Sequence, residues 1–426
     1  MFSIKFNKNW WGAGAFCALA MNINTALGIE VTDEELAFLH QKWDQIKEEM
    51  KDINPDTMCI ALCASCEDEK ICSNYDRYDN EVIISTFALI CFGLDAKQFS
   101  SENRIKLFNI LNKSPDSFSR FVHKSPDRLW CFSSDKKYQL RLQWRNSNVI
   151  LPIAMLLKYT YLLDSITLSH IHIKDAEISI LSEALKVNRS LISLRLWYIN
   201  IGEFGANKLA EALKFNTVLS ELDLDDTSIG NGGLISLAEA LEVNLESALT
   251  TLRLGQNEID GSGLASFSDT LRFNSSLAEL NLRFNAIGDS GITSLSKALK
   301  DNSSLTSLSL EYCNIEAPGA TTLSGALRVN SSLGKLVLGC NKIGDSGATS
   351  LSKALQDNSS LTELQVNCNK IGDSGATSLS KALQVNNSLT KLNLGANEIG
   401  DSGENSLCQA LEGNYTITEL ESGYQH

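Results

Sequence analysis

Leucine recurs through the second half of the chain in a fixed phase. Leu191, Leu219, Leu249, Leu277, Leu305, Leu333, Leu361 and Leu389 each open an L-x-x-L-x-L segment, 28 residues apart except for 30 between Leu219 and Leu249. The two extra residues fall near Asn244-Leu245-Glu246. The same phase runs back to Leu163, with Ile166, Leu168 and Ile173 in register, and forward to Ile417 and Leu420, giving nine units and a closing strand. The L-x-L alternation predicts a short strand with one buried face. Isoleucines ten residues after each opening leucine, from Ile173 to Ile399, predict a second buried row. The helix of each unit is predicted by segments such as ATSLSKALQDN, residues 348–358, where leucine and alanine fall at spacings of three and four.

The polar positions are equally regular. Asn257, Asn285, Asn341, Asn369 and Asn397 stand eight residues after their opening leucine, and Cys313 takes that place in one unit. An asparagine at the end of a strand bonds neighbouring backbone groups and holds the turn. In turns such as Gly344-Asp345-Ser346-Gly347, the aspartate or serine is expected to cap the following helix. The asparagine closing each helix is expected to act as a left-handed cap. A strand and a helix in 28 residues cannot bury both faces alone, whereas stacked copies can. The predicted fold class is therefore α/β, a solenoid curved as a horseshoe, with parallel strands on the concave side and helices on the convex side.

The unit SLTELQVNCNKIGDSGATSLSKALQVNN, residues 360–387, resembles the ribonuclease-inhibitor type of leucine-rich repeat, also found in NOD-like receptors. The resemblance covers about residues 163–421 and implies a horseshoe that binds protein partners and carries no catalysis. No G-x-x-x-x-G-K-[ST] segment is present, which excludes a whole NOD-like receptor. Successive units are nearly identical, IGDSGATSLSKALQ standing at both 343–356 and 371–384. This repetition beside an unrelated N-terminal region resembles the eukaryotic-like repeat effectors that intracellular bacteria such as Legionella inject into host cells by type IV secretion. The polar tail GNYTITELESGYQH is similar to the C-terminal secretion tails of that group. Two domains are expected, residues 1–162 and 163–426.

Residues 1–162 have another character and hold five of the six tryptophans. A helix is predicted at 32–50, where Thr32 and Glu35 form a capping box and Leu36, Leu39, Trp43, Ile46 and Met50 make one apolar stripe. Residues 80–94 read as a buried helix or strand and 101–112 as a further helix, with turns at Ser114-Pro115 and Ser125-Pro126 and a small basic patch from Lys136 to Arg145. We expect a mostly helical domain that also covers the open end of the solenoid. Cys59, Cys63 and Cys66 have the C-x3-C-x2-C spacing of radical S-adenosylmethionine enzymes, with Cys72 beyond, but serine precedes Cys66 and no barrel-length pattern follows. A four-cysteine zinc site is the other reading of these residues, and a small apolar helix with buried thiols is the simplest. Cys17, after Gly12-Ala13-Gly14, reads as a core residue or as a thiol activated at a helix start. In the second case His40 or His123 would be the base and Asp127 the orienting group, loosely similar to papain-like enzymes. The alternative function is thus a solenoid that targets a cysteine-dependent enzyme. No cofactor or metal is expected.

Charge narrows the partners. The 426 residues carry a formal net charge of -14, and residues 163–426 hold 31 Asp/Glu against 18 Lys/Arg. Such a surface repels nucleic acid and anionic membranes and steers basic proteins toward it. The expected partner is a protein, a basic host protein among the candidates, bound by a monomer. The eleven cysteines, three at repeat positions (Cys313, Cys340 and Cys368), indicate a reducing compartment. Lys5 and Lys8 before the apolar run Trp10–Met21, with Ala18-Leu19-Ala20, have the layout of a secretory signal. An ordinary buried segment is the expectation, in a cytosolic chain or one secreted by a bacterium into the host cytoplasm. No run reaches the ~18 apolar residues of a membrane span.

Residues two, four, six and seven places after each opening leucine are free of the core and face the concave side or its rim. Those of interest are Arg195, Trp197, Tyr198, Asp223, Asp225, Arg253, Arg283, Phe284, Glu311 and Tyr312. Trp, Tyr and Arg are the residues most enriched at binding hot spots. The site is therefore expected on the concave face from Arg195 to Tyr312, the other reading being that Trp197 and Tyr198 pack against the N-terminal domain.

Overall fold

A computed structural model describes residues 129–134, 137–143, 150–159 and 163–422. The helix expected at 32–50, the segments 80–94 and 101–112, and Cys17, His40, Cys59, Cys63, Cys66, Cys72, His123 and Asp127 lie outside the described residues.

Twelve strands form one open sheet in chain order. Strands β1 (Leu129–Ser134) and β2 (Lys137–Gln143) make an antiparallel hairpin, and helix α1 (Ile150–Tyr159) follows. The repeat strands are β3 (Leu163–Ser169), β4 (Ser193–Trp197), β5 (Glu221–Asp223), β6 (Thr251–Arg253), β7 (Glu279–Asn281), β8 (Ser307–Ser309), β9 (Lys335–Val337), β10 (Glu363–Gln365), β11 (Lys391–Asn393) and β12 (Glu419–Glu421). The helices between them are α2 (Asp175–Val187), α3 (Gly202–Leu213), α4 (Gly230–Val243), α5 (Gly261–Phe273), α6 (Gly288–Asp301), α7 (Ala317–Leu327), α8 (Gly344–Asp357), α9 (Asp373–Leu383) and α10 (Asp401–Gly413). From β2 onward every pairing is parallel, and the L-x-L leucines stack in register, as Leu308, Leu336, Leu364 and Leu392 do. These leucines and the isoleucines from Ile173 to Ile371 are buried, while Ile399 is only partly covered. The helices add apolar residues at spacings of three and four, for example Ala348, Leu351, Ala354 and Leu355 in α8 and Leu264, Phe267 and Leu271 in α5. Burying one such leucine contributes roughly 1.5–3 kcal/mol.

The array begins earlier than the leucine phase indicates. Strand β2, inside the segment legible only as a basic patch, pairs parallel with β3 and sets Leu140 and Leu142 opposite Ile166 and Leu168. Helix α1 places Ile150, Ile153, Ala154 and Leu157 in the same core as the repeats. Together β2 and α1 behave as a degenerate unit, offset by 26 residues at the strand instead of 28, and they cover the end of the stack.

Two asparagine rows bind the units together. In the first, Asn341 donates from Nδ2 to the carbonyls of Leu310 and Leu338 at 2.8 and 2.9 Å, while its Oδ1 accepts the N–H groups of Cys313 and Ile315, both at 3.0 Å. Asn257, Asn285, Asn369 and Asn397 repeat the bond to the preceding unit. Cys313 replaces it with an Sγ contact of 3.2 Å to the Leu282 carbonyl. Burial pushes this thiol up to about 12, so it packs without ionising.

The second row corrects one expectation. The asparagine after each helix is not left-handed: Asn188, Asn302 and Asn358 have φ of -67, -72 and -83° and extended ψ. The side chain does the terminating. Asn330 Nδ2 reaches back to the Leu299 and Asn302 carbonyls at 2.8 and 3.1 Å, and its Oδ1 takes the Ser332 and Leu333 N–H groups at 3.1 and 2.8 Å. Asn188 makes the same backward bond to Leu157 of α1. In the 30-residue unit Asn244 keeps the backward bonds to the Leu213 and Asn216 carbonyls, Ser247 Oγ takes the Leu249 N–H in its place, and the surplus loops outward at Leu245, which is 93% exposed.

Helix caps are also shared between units. Asp260 caps its own α5 through the Ser262 and Gly263 N–H groups, as expected. Asp345 instead accepts from Gly372 and Gly375 at the start of the next helix, α9, at 2.7 and 2.8 Å. Asp373 does the same for Gly400 and Gly403 of α10. A Cβ on Gly375 would come within 2.7 Å of Asp345 Oδ1, so glycine is what lets the carboxylate approach.

Two outcomes follow for stability. Asn330→Ala leaves buried carbonyls and N–H groups without partners and is expected to lower the urea-unfolding free energy by about 3 kcal/mol. The same change at exposed Asn387 should move it by less than about 0.5 kcal/mol.

Candidate functional site

The residues seven places into each unit lie just past the strand and, with those at the sixth place, form the upper edge of the concave face. All nine at the seventh place, His170, Tyr198, Asp226, Gln256, Phe284, Tyr312, Cys340, Cys368 and Ala396, have φ between 53 and 56°. This is the left-handed region, which costs an ordinary L-residue about 1–2 kcal/mol. The chain accepts the strain because, at eight of the nine, it aims the N–H at the next unit: Tyr198 N–H meets Asp225 O at 3.3 Å, Phe284 N–H meets Glu311 O at 2.8 Å and Tyr312 N–H meets Gly339 O at 3.1 Å. Side chains at this place stack in a column. His170 lies on Tyr198 with centroids 4.8 Å apart, and Phe284 on Tyr312 at 4.4 Å, both pairs nearly coplanar in tilt. Tyr198, Phe284 and Tyr312 remain 55, 46 and 49% exposed.

Below this edge the charged residues pair with one another. Glu221 is the hub. It accepts two bonds from Arg195, at 2.9 and 2.8 Å, one from Ser193 at 2.8 Å, and a contact from Arg253. Burial works against its charge, and the hydrogen bonds from Arg195 and Ser193 outweigh it, so its pKa lies below the ordinary carboxylate value. Arg253 also reaches Glu279 at 2.9 Å and Asp223 at 3.8 Å. Arg283 crosses two units to Asp225 at 2.7 Å. The crossing is possible because Gly255 lies between them; a Cβ there would stand 2.9 Å from both Arg283 Cγ and Asp225 Oδ1.

Asp223 is buried beneath this network. Burial, reinforced by the neighbouring Asp225 carboxylate, pushes its pKa up to about 6, against the pull of the Asp225 N–H, Trp197 and Arg253. The half-buried Trp197 indole helps hold that carboxylate charged, although its N–H makes no hydrogen bond of good geometry among the described residues.

The structure thus brings Arg195, Asp223, Asp225, Arg253 and Arg283 into one network and sets Tyr198, Phe284 and Tyr312 on the edge above it. Glu311 belongs to neither: its carboxylate has no cation or donor among the described residues. The sequence reading passed over His170, which builds the first stack, and Glu221, the hub. Both were legible from their places in the repeat, seven and two residues after an opening leucine. The late units are paired more simply, Lys335 with Glu363 at 2.9 Å and Lys391 with Glu419 at 2.7 Å.

The described cysteines Cys313, Cys340, Cys368 and Cys408 are free thiols. Among the described residues no cluster of three or more His, Cys, Asp or Glu could hold a metal ion, and no helix is long and apolar enough to cross a membrane.

A family model described as leucine-rich repeat matches seven segments, 215–238, 248–268, 273–296, 301–324, 329–352, 357–380 and 385–408. Strands β3 and β4 lie outside them. No curated protein matches the chain. Among solved structures, it is similar to an internalin from Listeria monocytogenes, at 20% identity over 67% of this chain and 86% of that one, with a TM-score of 0.35. It is also similar to the actin-binding site 2 of leiomodin-1 (17% identity, 42% and 89% covered, TM-score 0.28). A third is the tropomodulin C-terminal domain of Caenorhabditis elegans (21% identity, 36% and 93% covered, TM-score 0.30).

Two measurements probe this face. Folding raises the Asp223 pKa, so its contribution to stability is greatest below about pH 4 and is lost as pH rises toward 6. Wild type should therefore lose stability relative to Asp223→Asn between pH 4 and 7, and parallel pH-stability curves would contradict the assignment. Ala396→Gly removes left-handed strain at an exposed place and is expected to raise the unfolding free energy by about 1 kcal/mol.

Proposed function

We propose that this chain, a protein built of leucine-rich repeats, is a non-enzymatic scaffold that binds a partner protein on its concave face between Arg195 and Tyr312. One observation carries the reading: Tyr198, Phe284 and Tyr312 hold large rings about half exposed on backbone in the left-handed region. Exposed rings add little to folding, and the inter-unit bond that turns the seventh place holds these three outward at the rim. Rigid aromatic rings lose little conformational entropy on contact, which suits them as anchors.

The charged network below supports the same reading in a different way. Arg195, Arg253 and Arg283 are already paired, so a partner gains little from them individually. They fix the shape of the floor and hold Glu221, Asp223 and Asp225 in place. The net acidity of residues 163–426, 31 Asp/Glu against 18 Lys/Arg, favours a basic partner through long-range steering. The near-identical units support a bacterial effector acting on a host protein in the host cytoplasm as the setting.

Affinity capture from eukaryotic lysate, wild type beside a Trp197/Arg283/Tyr312 triple alanine variant, tests this. A protein held by the wild type and at least tenfold depleted on the variant, with the variant still folded by circular dichroism, is the expected outcome. Equal capture by both would remove the concave face from the account. If the variant instead melts early with Trp197 changed alone, Trp197 serves the fold and not a partner.

A further inference from the structure

The column that carries the aromatic stacks carries two thiols further along. Cys340 and Cys368 occupy the seventh place in successive units. Both have the left-handed backbone of the row, with φ of 55 and 54°, and both are half-buried free thiols. The Cys340 N–H meets Asn367 O at 2.9 Å, the same bond that ties Phe284 to Glu311 O at 2.8 Å. Strands β9 and β10 pair in register at an offset of 28 residues, Val337 opposite Gln365, and the two cysteines keep that offset just past the strand ends.

The rings show what this geometry does to a pair of side chains. Seventh-place rings one unit apart lie 4.8 Å (His170–Tyr198) and 4.4 Å (Phe284–Tyr312) between centroids, with planes tilted by only 8 and 10°. Neighbouring seventh places therefore send their side chains out in parallel at the spacing of adjacent strands, about 4.7–4.9 Å. A disulfide needs Cα atoms about 4.4–6.8 Å apart and side chains on the same side, and this column supplies both. Cys313, by contrast, is fully buried, and Cys408 stands on helix α10.

The surroundings fit a reactive pair. Burial raises the Cys340 pKa, the Tyr312 hydroxyl pulls it down by donating to the sulfur, and the Cys368 thiol raises it again, so the two sulfurs are near enough to share a proton. On the far side of Cys368 the column continues with Ala396, which is exposed and adds only a methyl group. A small reagent thus reaches Cys368 from that side.

We infer that Cys340 and Cys368 form a reversible dithiol site on the rim, closed to a disulfide between neighbouring units by exchange with a small disulfide of the glutathione class. One protein thiolate attacks a sulfur of the small disulfide, whose S–S bond breaks and expels a small thiolate. The second protein thiol gives up its proton to solvent and attacks the protein sulfur of this mixed disulfide, expelling the other small thiolate. Two protein thiols are oxidised and one small disulfide is reduced to two thiols, so excess small thiol runs the exchange backward. Both cysteines lie outside the stretch from Arg195 to Tyr312, and the site does not depend on what that face binds.

The test uses the full chain equilibrated in mixtures of oxidised and reduced glutathione. Remaining thiols are blocked with N-ethylmaleimide, and a tryptic digest without reductant is read by mass spectrometry. Trypsin puts Cys340 in residues 336–342 and Cys368 in residues 354–370, so the disulfide joins two otherwise separate peptides. The joined peptide, two hydrogens lighter than the sum of its parts, is expected to accumulate as the oxidised share rises and to vanish when reduced glutathione is added back. Cys408→Ser should leave it unchanged, and Cys340→Ser should leave Cys368 carrying glutathione instead. A second probe needs no oxidant: phenylarsine oxide, which grips two thiols at once, should protect both cysteines from N-ethylmaleimide in the wild type. That protection of Cys368 should be lost in Cys340→Ser. Glutathione on each cysteine separately at every ratio, or a joined peptide found only in covalently linked pairs of chains, overturns the site. So does arsenical protection of Cys368 that survives Cys340→Ser.

Discussion

A unit of 28 residues ends with backbone donors and acceptors that it cannot satisfy itself, and the structure settles this debt with asparagine amides that cross the unit boundary. Asn341 uses both ends of its side chain on the unit before it, donating to Leu310 and accepting from Cys313 and Ile315. Asn330, at the helix end, spans the boundary instead, donating back to Leu299 and accepting from Leu333 ahead of it. An amide offers two donor hydrogens and an acceptor oxygen without carrying charge, more than the Thr227 hydroxyl and the Cys313 thiol that take the place of Asn341 in two units. Leucine burial supplies most of the driving force, but it has no direction. The asparagines fix the register in which the leucines stack, and with it the register of everything on the strand face.

The candidate site inherits that register. Because each seventh place is turned into the left-handed region to complete a bond with the next unit, its side chains are thrown into a single column, and aromatic residues there must stack. Because the sixth places line up at one-unit intervals, a glycine in that row lets side chains from the units on either side close over it. Arg283 and Asp225 do so at Gly255, and Asn367 and Glu311 at Gly339. Site geometry is thus a by-product of the repeat, and site chemistry is what varies on it.

Much of this was legible in the sequence. The leucine phase, the Ile173–Ile399 row and the asparagines eight residues into each unit predicted strand, core and turn because the physical requirement is the same in every copy. The hairpin and α1 were missed because their spacing to the first unit is 26 and they carry only Leu140 and Leu142 of the pattern. The asparagine at the helix end was read as a left-handed cap from its residue type. It is extended because its side chain, bonded forward to Leu333 and back to Leu299 at Asn330, already ends the helix. The left-handed seventh place was hidden for the opposite reason: Tyr198, Gln256, Phe284 and Cys340 are not residues that choose that conformation, and only the bond to the next unit imposes it. Pairing among Arg195, Glu221, Arg253 and Arg283 likewise depends on distances between units that no single unit reveals.

If the asparagine amides couple the units, the effect of removing one must appear on the far side of the boundary. Amide hydrogen exchange of Asn341→Ala, resolved at Cys313 and Ile315 under conditions where the protein stays folded, measures this directly. The account predicts faster exchange at both, although they precede the substitution by 28 and 26 residues. Unchanged protection at Cys313 and Ile315, with faster exchange confined to residues 333–358, would contradict it and leave apolar stacking alone as the source of the register.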